Sequence, residues 1–394
     1  MLHRTERTFE NIPVGPLGFI PVNGCQDLGK KVDDYLVKWR KEAQDNGSNA
    51  IVLEDYAKDS FIVDAKVPRF GSGEAKGIIN ESVRGKDIYI MVDVCNYSIT
   101  YSLSGHVNRM SPDDHFQNLK RVIAAIGGKA RRINVIMPFL YESRQHKRSS
   151  RESLDCALAL QELVRMGVDN IITFDAHYPR VQNAIPLHGF ETVRPTYQFI
   201  KGLLRKHSDL KIDSDHLMAI SPDEGATERA VYMANVLGID MGMFYKRRDY
   251  SKIVDGRNPI VAHEFLGSSV EGKDVIIIDD MISSGDSMLD VAKQLKDRKA
   301  NRIFCASTFG LFTNGLEKFD KAYEDGILHG VLTTNLIYQT PELLQSEWYI
   351  NCDLSKYIAL IIDTLNHDGS ISEILNPSAR IQNIVKKFNN GEKI

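Results

Sequence analysis

Apolar and polar residues follow one another along this chain in blocks that predict strands and helices in turn. Short apolar runs such as Ile133–Met137 and Val275–Ile278 predict buried strands. Between such runs, apolar residues recur every three or four positions, which predicts helices such as Leu154–Met166 and Asp286–Asp297. Wholly apolar strands that alternate with helices are typical of parallel sheets covered on both faces, so we expect an α/β protein.

The best-delimited helix begins at Ser111-Pro112-Asp113-Asp114, where a serine cap precedes proline and two acids, and it ends at Gly127-Gly128. The remaining predictions follow the same logic. The further predicted strands are Ile51–Leu53, Ile88–Val94, Asn170–Phe174, Leu217–Ile220, Met241–Tyr245, Arg302–Thr308 and Leu332–Asn335, and the further predicted helix is Glu224–Leu237.

The strand–helix alternation occurs in two successive blocks, which predicts two doubly wound domains in the 394 residues. We place the domains at residues 1–190 and 191–394, with the seam within Pro186–Asp213. The segment after His367 is polar, and we expect it to be a peripheral tail.

Charge and cysteine usage narrow the functional class. The chain has 49 Lys and Arg against 52 Asp and Glu, a net charge of −3, which argues against general binding of nucleic acid or membrane surfaces. Its five cysteines are far apart and form no C-x-x-C pair, so we expect reduced thiols and no cysteine zinc site. The first residues contain no apolar signal-peptide region, and we expect a cytoplasmic protein.

The most informative motif follows the strand Val275–Ile278. Asp279-Asp280 come at its carboxyl end, and the segment Ser283–Ser287 then turns through small residues and Gly285 into a helix. Backbone N–H groups at a helix start bind phosphate, and paired carboxylates accept hydrogen bonds from sugar hydroxyls or hold a hydrated Mg²⁺. The alternative interpretation is a solvated turn with a helix cap.

Two further motifs lie in the first half. Arg144-Gln145 opens a cationic stretch that suits a triphosphate, unless it is a solvated basic loop. Asp175 and His177 follow an apolar strand at a spacing that places both side chains on one side, and imidazole plus carboxylate suits a divalent ion. A hydrogen-bonded structural histidine is the alternative.

Taken in order, these segments resemble the ribose-phosphate diphosphokinase (phosphoribosyl-pyrophosphate synthetase) family. The loop Asp279–Ser287 is similar to its phosphoribosyl-pyrophosphate-binding loop, which type I phosphoribosyltransferases share. The other blocks that carry the resemblance are Arg69–Glu74 with Asn80–Asp87, Tyr141–Lys147, Asp175–His177, Ser221–Gly225 and Lys246–Arg248.

The resemblance implies two tandem type I phosphoribosyltransferase-like (Rossmann-like) domains with parallel sheets, transfer of diphosphate from Mg-ATP to ribose 5-phosphate, a Mg²⁺ cofactor, and a homo-oligomer, either a dimer or a hexamer. It also implies roles for single residues. These are Lys246 and Arg248 for catalysis; Phe70, Ser72, Glu74, Arg144, Gln145 and His177 for ATP; Asp279, Asp280, Ser283, Ser284, Gly285, Asp286 and Ser287 for ribose 5-phosphate; and Asp175, His177 and Asp223 for the metal.

Four positions depart from the family pattern: Ser72, His146, Arg180 and Asp286. Asp286 matters most, because a carboxylate in the phosphate loop repels the 5-phosphate unless it points away. Two alternatives therefore stay open. One is a catalytically weak or silent regulatory relative that binds nucleotide and assembles with an active enzyme, which Asp286 favours. The other is a phosphoribosyltransferase, against which the Arg144-Gln145 block argues.

Overall fold

The computed structural model describes residues 12–45, 55–248, 260–392 and 394, so the predicted strand Ile51–Leu53 lies outside the described part. The chain divides into two compact units. The first comprises Met1–Arg194, Asn335–Tyr338 and Asp353–Asn376, and the second comprises Pro195–Thr334, Gln339–Cys352 and Pro377–Ile394.

Strands and helices alternate through both units. The strands are β1 (Leu17–Pro21), β2 (Ala65–Lys66), β3 (Ile78–Ile79), β4 (Asp87–Met91), β5 (Thr100–Leu103), β6 (His106–Arg109), β7 (Arg132–Ile136), β8 (Asn170–Phe174), β9 (Gly189–Val193), β10 (Leu217–Ser221), β11 (Asp240–Arg248), β12 (Ile260–Leu266), β13 (Asp274–Ile282), β14 (Ile303–Gly310), β15 (Gly330–Thr334) and β16 (Tyr349–Cys352). The helices are α1 (Gln26–Asp45), α2 (Pro112–Ile126), α3 (Asp155–Arg165), α4 (Thr196–Lys206), α5 (Thr227–Leu237), α6 (Asp286–Asp297), α7 (Glu317–Glu324), α8 (Pro341–Gln345), α9 (Ser355–Asn366), α10 (Ser372–Leu375) and α11 (Ser378–Asn389).

The first unit is built on a five-stranded sheet in the order β1-β4-β7-β8-β9, and every neighbouring pair is parallel. Two short antiparallel pairs, β2–β3 and β5–β6, stand outside it. The predicted start and end of α2 are confirmed. The Ser111 hydroxyl accepts a hydrogen bond from Asp114 N and Asp114 reciprocates, while Gly127 ends the helix in the left-handed conformation.

The second unit holds a seven-stranded sheet in the order β12-β11-β10-β13-β14-β15-β16. The predicted parallel arrangement holds for all pairs except β11–β12, which is antiparallel and lies at an edge. An antiparallel edge strand is common on otherwise parallel sheets, because a neighbour in sequence can fold straight back.

Both faces of this second sheet are covered by helices. Alternate residues of β13 enter different cores: Ile276 packs in one core with Met233 of α5, and Ile277 packs in the other with Leu289 of α6. From β10 the chain passes through α5 to β11 on one side, and from β13 it passes through α6 to β14 on the other. The order of the strands therefore reverses between β10 and β13, and open α/β sheets bind ligands at such a switch point.

Late segments of the chain complete the first unit. Helix α9 packs on α1, where Arg40 Nε lies 3.0 Å from Asp363 Oδ1 and both side chains are fully buried. Asn366 Nδ2 donates to Gly15 O and to Asp87 Oδ2, at 3.1 and 2.9 Å. The contiguous ranges predicted from the sequence did not anticipate this return.

The prediction of a peripheral tail after His367 is wrong. Helix α11 packs on α4 and α5, and its Ile381 and Ile384 are buried in the core of the second unit. The two isoleucines lie three residues apart in an otherwise polar segment, so the segment's average composition hid an amphipathic helix.

All five cysteines are unpaired, as expected. Among the helices that the structure describes, none combines the length and the apolar character that a membrane span requires.

Candidate active site

Acidic side chains come together at the switch point of the second unit. Asp223 follows β10, and Asp279 and Asp280 lie on the adjacent β13, two and three residues after the paired position Ile277. Asp280 is 3% exposed. Burial raises the pKa of Asp279 well above its usual value, and the neighbouring carboxylates of Asp280 and Asp223 raise it further. Such crowding of negative charge favours the arrival of a cation or of hydrogen-bond donors.

Asp223 has a structural role of its own. Its Oδ1 accepts hydrogen bonds from Gly225 N at 2.9 Å and Ala226 N at 3.3 Å, which caps the helical segment that leads into α5. Asp223 is therefore a helix cap. Both bonds end on Oδ1, so capping does not preclude a ligand role for Oδ2.

The segment Ser283–Ser287, predicted to bind phosphate, runs from the end of β13 into the first turn of α6. Gly285, immediately before α6, has φ +85°, and a Cβ there would lie 2.3 Å from Cζ of Phe319. The first backbone hydrogen bond of the helix runs from Leu289 N to Gly285 O, so the N–H groups of the turn before it are not used by the helix. These groups are the donors that phosphate binds at helix starts.

Asp286, the residue expected to repel a phosphate, has a cationic partner. Its Oδ1 pairs with Lys318 Nζ, and its Oδ2 accepts a hydrogen bond from Ser284 Oγ at 2.9 Å. The hydrogen bond from Lys318 is the largest cause that lowers the pKa of Asp286. The carboxylate is therefore ionised at neutral pH, but its charge is balanced within the fold.

In the first unit, Asp175 and His177 follow β8 at the carboxyl end of the sheet. Asp175 has φ +41°, an uncommon conformation for a residue other than glycine, and is 8% exposed. Its N–H donates to Val193 O at 3.0 Å, and Ala176 N donates to the Thr192 hydroxyl at 3.0 Å. Neighbouring β9 thus holds the strained turn, a feature typical of functional sites.

The Arg144-Gln145 segment lies beside this turn, because β7 and β8 are neighbours in the sheet. The rings of His146 and His177 are 5.5 Å apart, and His146 stacks on Tyr178 at 4.7 Å. Arg144 is exposed, whereas Gln145 Nε2 donates to Ser153 O at 2.7 Å, which closes the loop on itself. The loop that carries Arg144 thus reaches the predicted ligand His177 through His146.

Phe70, Ser72 and Glu74 occupy a small turn of the first unit. Phe70 N donates to Glu74 O at 2.8 Å, and Ser72 Oγ donates to Glu74 Oε2 at 3.0 Å. All three side chains are exposed, and the Phe70 ring is 52% exposed. Phe70 is therefore a surface residue, and Lys76 Nζ lies 5.9 Å from its ring centroid.

The first turn of α2 anchors both of these segments. Arg69 Nη2 pairs with Asp114 Oδ1 at 2.9 Å, and the Tyr141 hydroxyl donates to Asp113 Oδ1 at 2.7 Å. Because Asp113 and Asp114 are consecutive, the turn that carries Phe70 and the loop that carries Arg144 start from the same point of the unit.

Lys246 and Arg248 belong by their backbone to β11, but their side chains lie outside the described part of the structure. No group of three or more His, Cys, Asp or Glu side chains forms a metal site among the described residues. Mg²⁺ keeps several waters and takes substrate oxygens, so one or two protein carboxylates suffice for it.

Sequence reasoning missed two residues of these regions. Lys318 lies on α7, 32 positions after its partner Asp286, and no local pattern connects them. Asp93, just beyond β4, is buried, and it accepts hydrogen bonds from Cys95 N at 2.9 Å and Tyr338 N at 2.7 Å. Burial raises the pKa of Asp93 to about 7. In the sequence it was an acid inside the predicted strand Ile88–Val94, a position that drew no functional prediction.

Comparison with known proteins agrees with the architecture. The sequence model of the N-terminal domain of ribose phosphate pyrophosphokinase matches residues 18–167, and that of the phosphoribosyl transferase domain matches residues 191–341. Ribose-phosphate pyrophosphokinase from Vibrio parahaemolyticus is 29% identical over 79% of this chain and 91% of its own length. The enzyme from Pasteurella multocida is 29% identical over 78% and 90%. Phosphoribosylpyrophosphate synthetase from Mycobacterium smegmatis shares the fold, with a TM-score of 0.70 at 19% identity over 90% of this chain and 99% of that one.

Proposed function

Because the chain belongs to the ribose-phosphate pyrophosphokinase family, we infer that it transfers the diphosphate group of ATP to the C1 hydroxyl of ribose 5-phosphate. The products are phosphoribosyl pyrophosphate and AMP. The protein is a ribose-phosphate diphosphokinase, another name for the same activity. The C1 oxygen attacks the β-phosphorus, the bond from that phosphorus to the α–β bridging oxygen breaks, and the hydroxyl proton leaves.

One observation carries this proposal. The segment Ser283–Ser287, which we propose as an anion cradle, follows the paired acids Asp279 and Asp280 at the switch point of a phosphoribosyltransferase-like unit, and the unit that precedes it matches the N-terminal domain of a pyrophosphokinase. A simple phosphoribosyltransferase does not bind ATP as a diphosphate donor and therefore does not need that first unit. The cradle suits the 5-phosphate, and the two carboxylates suit the ribose hydroxyls.

The first unit supplies the nucleotide residues. The exposed ring of Phe70 suits stacking on adenine, and Ser72 and Glu74 lie on the same turn to receive polar groups of the nucleoside. Arg144 is exposed and planar, which suits phosphate oxygens, and Gln145 holds the loop in shape through Ser153. His177 borders the same loop through His146.

Mg²⁺ is the proposed cofactor, and it would neutralise charge on the triphosphate when bound. Asp175 and His177 in the first unit and Asp223 in the second are the proposed ligands. Burial and the neighbouring carboxylates of Asp280 and Asp223 raise the pKa of Asp279. This supports the binding of a divalent cation nearby, because such an ion offsets the repulsion between these carboxylates.

Lys246 and Arg248 are the proposed catalytic residues. They stand two positions apart in the sequence, which is the spacing of residues that share one face of an extended strand. Two cations of this kind would stabilise negative charge on the transferring diphosphate, and phosphoryl transfer depends mainly on such positioning and neutralisation. A homo-oligomer, either a dimer or a hexamer, is part of the same proposal.

The silent-relative alternative rested on Asp286, and its pairing with Lys318 weakens that argument. The test is to incubate the full chain with ribose 5-phosphate, ATP and Mg²⁺ and to measure AMP and phosphoribosyl pyrophosphate together. We expect equal amounts of both products, and no product without the metal. No AMP over a range of phosphate and metal concentrations would refute the proposal.

Variants make the test specific. Lys246→Ala should abolish turnover and leave ATP binding, measured by calorimetry, largely intact. The matched control is Lys299→Ala, which removes an exposed lysine that pairs with Glu271 at 2.8 Å and should react like the wild type. Diphosphate released from phosphoribosyl pyrophosphate and a nucleobase, without any AMP formation, would point to a phosphoribosyltransferase instead.

A further inference from the structure

The phosphate loop of the second unit contains a carboxylate where an incoming dianion must dock. Asp286 opens α6, and its N–H group belongs to the turn that presents donors to the phosphate. An ionised carboxylate at this position repels a phosphate dianion, and the repulsion acts over the few ångströms that separate neighbouring groups of one turn. The loop therefore needs a compensating positive charge to bind a sugar phosphate.

We propose that Lys318 is that compensating charge and thereby sets the affinity of the loop for the 5-phosphate of the sugar. Its ammonium pairs with Asp286 Oδ1, and it is the largest contributor to the ionised state of that carboxylate; Lys293, on the same helix as Asp286, contributes least. The proposal deepens the assigned function, because it rests on Ser283–Ser287 being the ribose 5-phosphate loop.

The fold holds Lys318 in place through its neighbour. The Phe319 ring lies against Gly285, so closely that a Cβ on the glycine would meet it at 2.3 Å. Phe319 is itself fully buried and stacks on Trp348 with ring centroids 5.4 Å apart. The start of α7 is therefore fixed against the loop by a large aromatic contact. Lys318 precedes Phe319 in this helix, so the same contact holds Lys318 near the loop.

The chain leading to α7 is bound to the loop as well. Leu311 N donates to Ile282 O at 2.9 Å, and Thr313 N donates to Ser283 O at 3.0 Å. The segment Leu311–Phe319 is thus attached to the phosphate loop at two places. Its backbone is hydrogen-bonded to Ile282 and Ser283, and its Phe319 ring packs on Gly285.

The ion pair has little value for stability alone. The Lys318 and Asp286 side chains are 56% and 52% exposed, and exposed pairs of this kind contribute little to folding. Their pairing at the phosphate loop is better explained by the need to balance the charge of Asp286 when a phosphate dianion binds. With both residues present the pair adds no net charge to the loop, and loss of either one changes that balance by one unit.

The test is a charge cycle read by binding of ribose 5-phosphate to the full chain in calorimetry, with ribose as the probe that lacks phosphate. Lys318→Ala should weaken ribose 5-phosphate binding about tenfold, because one unit of negative charge stays unbalanced. Asp286→Asn should strengthen it, and the double variant should return to within about twofold of the wild type. Lys321→Ala is the matched control, since it removes an exposed lysine of the same helix that forms no ion pair with any residue the structure describes, and it should change nothing.

The outcomes are separable. Single variants that bind like the wild type overturn the proposal. A double variant as weak as Lys318→Ala also overturns it, because it shows that the ammonium contacts the phosphate rather than balancing Asp286. Higher salt should reduce the defect of Lys318→Ala, as expected for a charge effect. Because the readout is binding, the cycle is decided even if the chain forms no AMP, whereas absence of AMP alone refutes the assigned activity.

Discussion

Replacement of Gly285 by alanine tests whether the phosphate loop has the shape described. Two independent penalties apply. Gly285 has φ +85°, and a residue with a Cβ pays about 1–2 kcal/mol in this left-handed region. The new Cβ would also lie 2.3 Å from Cζ and 2.5 Å from Cε2 of Phe319, far inside van der Waals contact. Overpacking of a filled core costs about 1–3 kcal/mol.

The second unit contains a matched control for the first penalty. Gly272 has φ +74°, and nothing lies within 4 Å of the Cβ that alanine would place there. Gly272→Ala should therefore lower the free energy of unfolding by the backbone penalty alone. We expect Gly285→Ala to lower it by a further ~1–3 kcal/mol, measured by urea denaturation of both full-length variants.

A third variant identifies the atoms responsible. In a Phe319→Leu background the smaller side chain removes the ring that the new methyl group would strike. The extra cost of Gly285→Ala should then fall to that of Gly272→Ala, which gives a coupling energy of about 1–3 kcal/mol between the two positions. Equal unfolding midpoints for Gly285→Ala and Gly272→Ala in the wild-type background would refute the described contact. Gly285→Ala should also lose ribose 5-phosphate binding, whereas Gly272→Ala should retain it.

Three further predictions concern the first unit. Because burial raises the pKa of Asp93 to about 7, the stability contributed by its protonated form should be lost as the pH rises from about 4 to about 7. Asp93→Asn should remove that part of the pH dependence of the free energy of unfolding, measured by urea titration. An unchanged dependence on pH in this variant would contradict the prediction. Arg40→Ala removes the buried guanidinium 3.0 Å from the Asp363 carboxylate and should destabilise the chain by about 3–5 kcal/mol, whereas a loss below about 1 kcal/mol would exclude a close pair. Phe70→Ala should raise the KM for ATP at least about fivefold through lost stacking, with an unchanged melting temperature because the ring is exposed, and an unchanged KM would remove Phe70 from the nucleotide site.

Local patterns predicted much of the fold. The strand Asn170–Phe174 and the helix Asp286–Asp297 have the same bounds in the structure as in the prediction. The β5–β6 pair was missed because Thr100–Leu103 and His106–Arg109 are largely exposed and contain no apolar run. The edge strand Ile260–Leu266 was missed because its apolar residues are interrupted by His263 and Glu264.

The site could be predicted only as far as its residues are consecutive. The motif Asp279–Ser287 is local, so it could be predicted as a candidate site from the sequence alone. The proximity of Asp223 to Asp279 depends on β10 lying beside β13, and strand order is decided by the crossovers and not by either segment. The partnership of Lys318 with Asp286 depends on the packing of Phe319, which no periodicity reveals.

The divided composition of the first unit has a consequence for synthesis on the ribosome. The polypeptide leaves this unit after Arg194 and returns for Asn335–Tyr338 and Asp353–Asn376. Arg40 emerges early, but Asp363 is made only near the end of translation. At ~5–20 residues per second, synthesis from Arg40 to Asp363 takes roughly 16–65 seconds, and the nascent N-terminal part waits that long for the helix that covers α1. A nascent chain that ends before α9 thus exposes the surface of α1 that α9 covers in the folded protein, and such a surface suits a chaperone. The second sheet is also synthesised before the first unit can be finished.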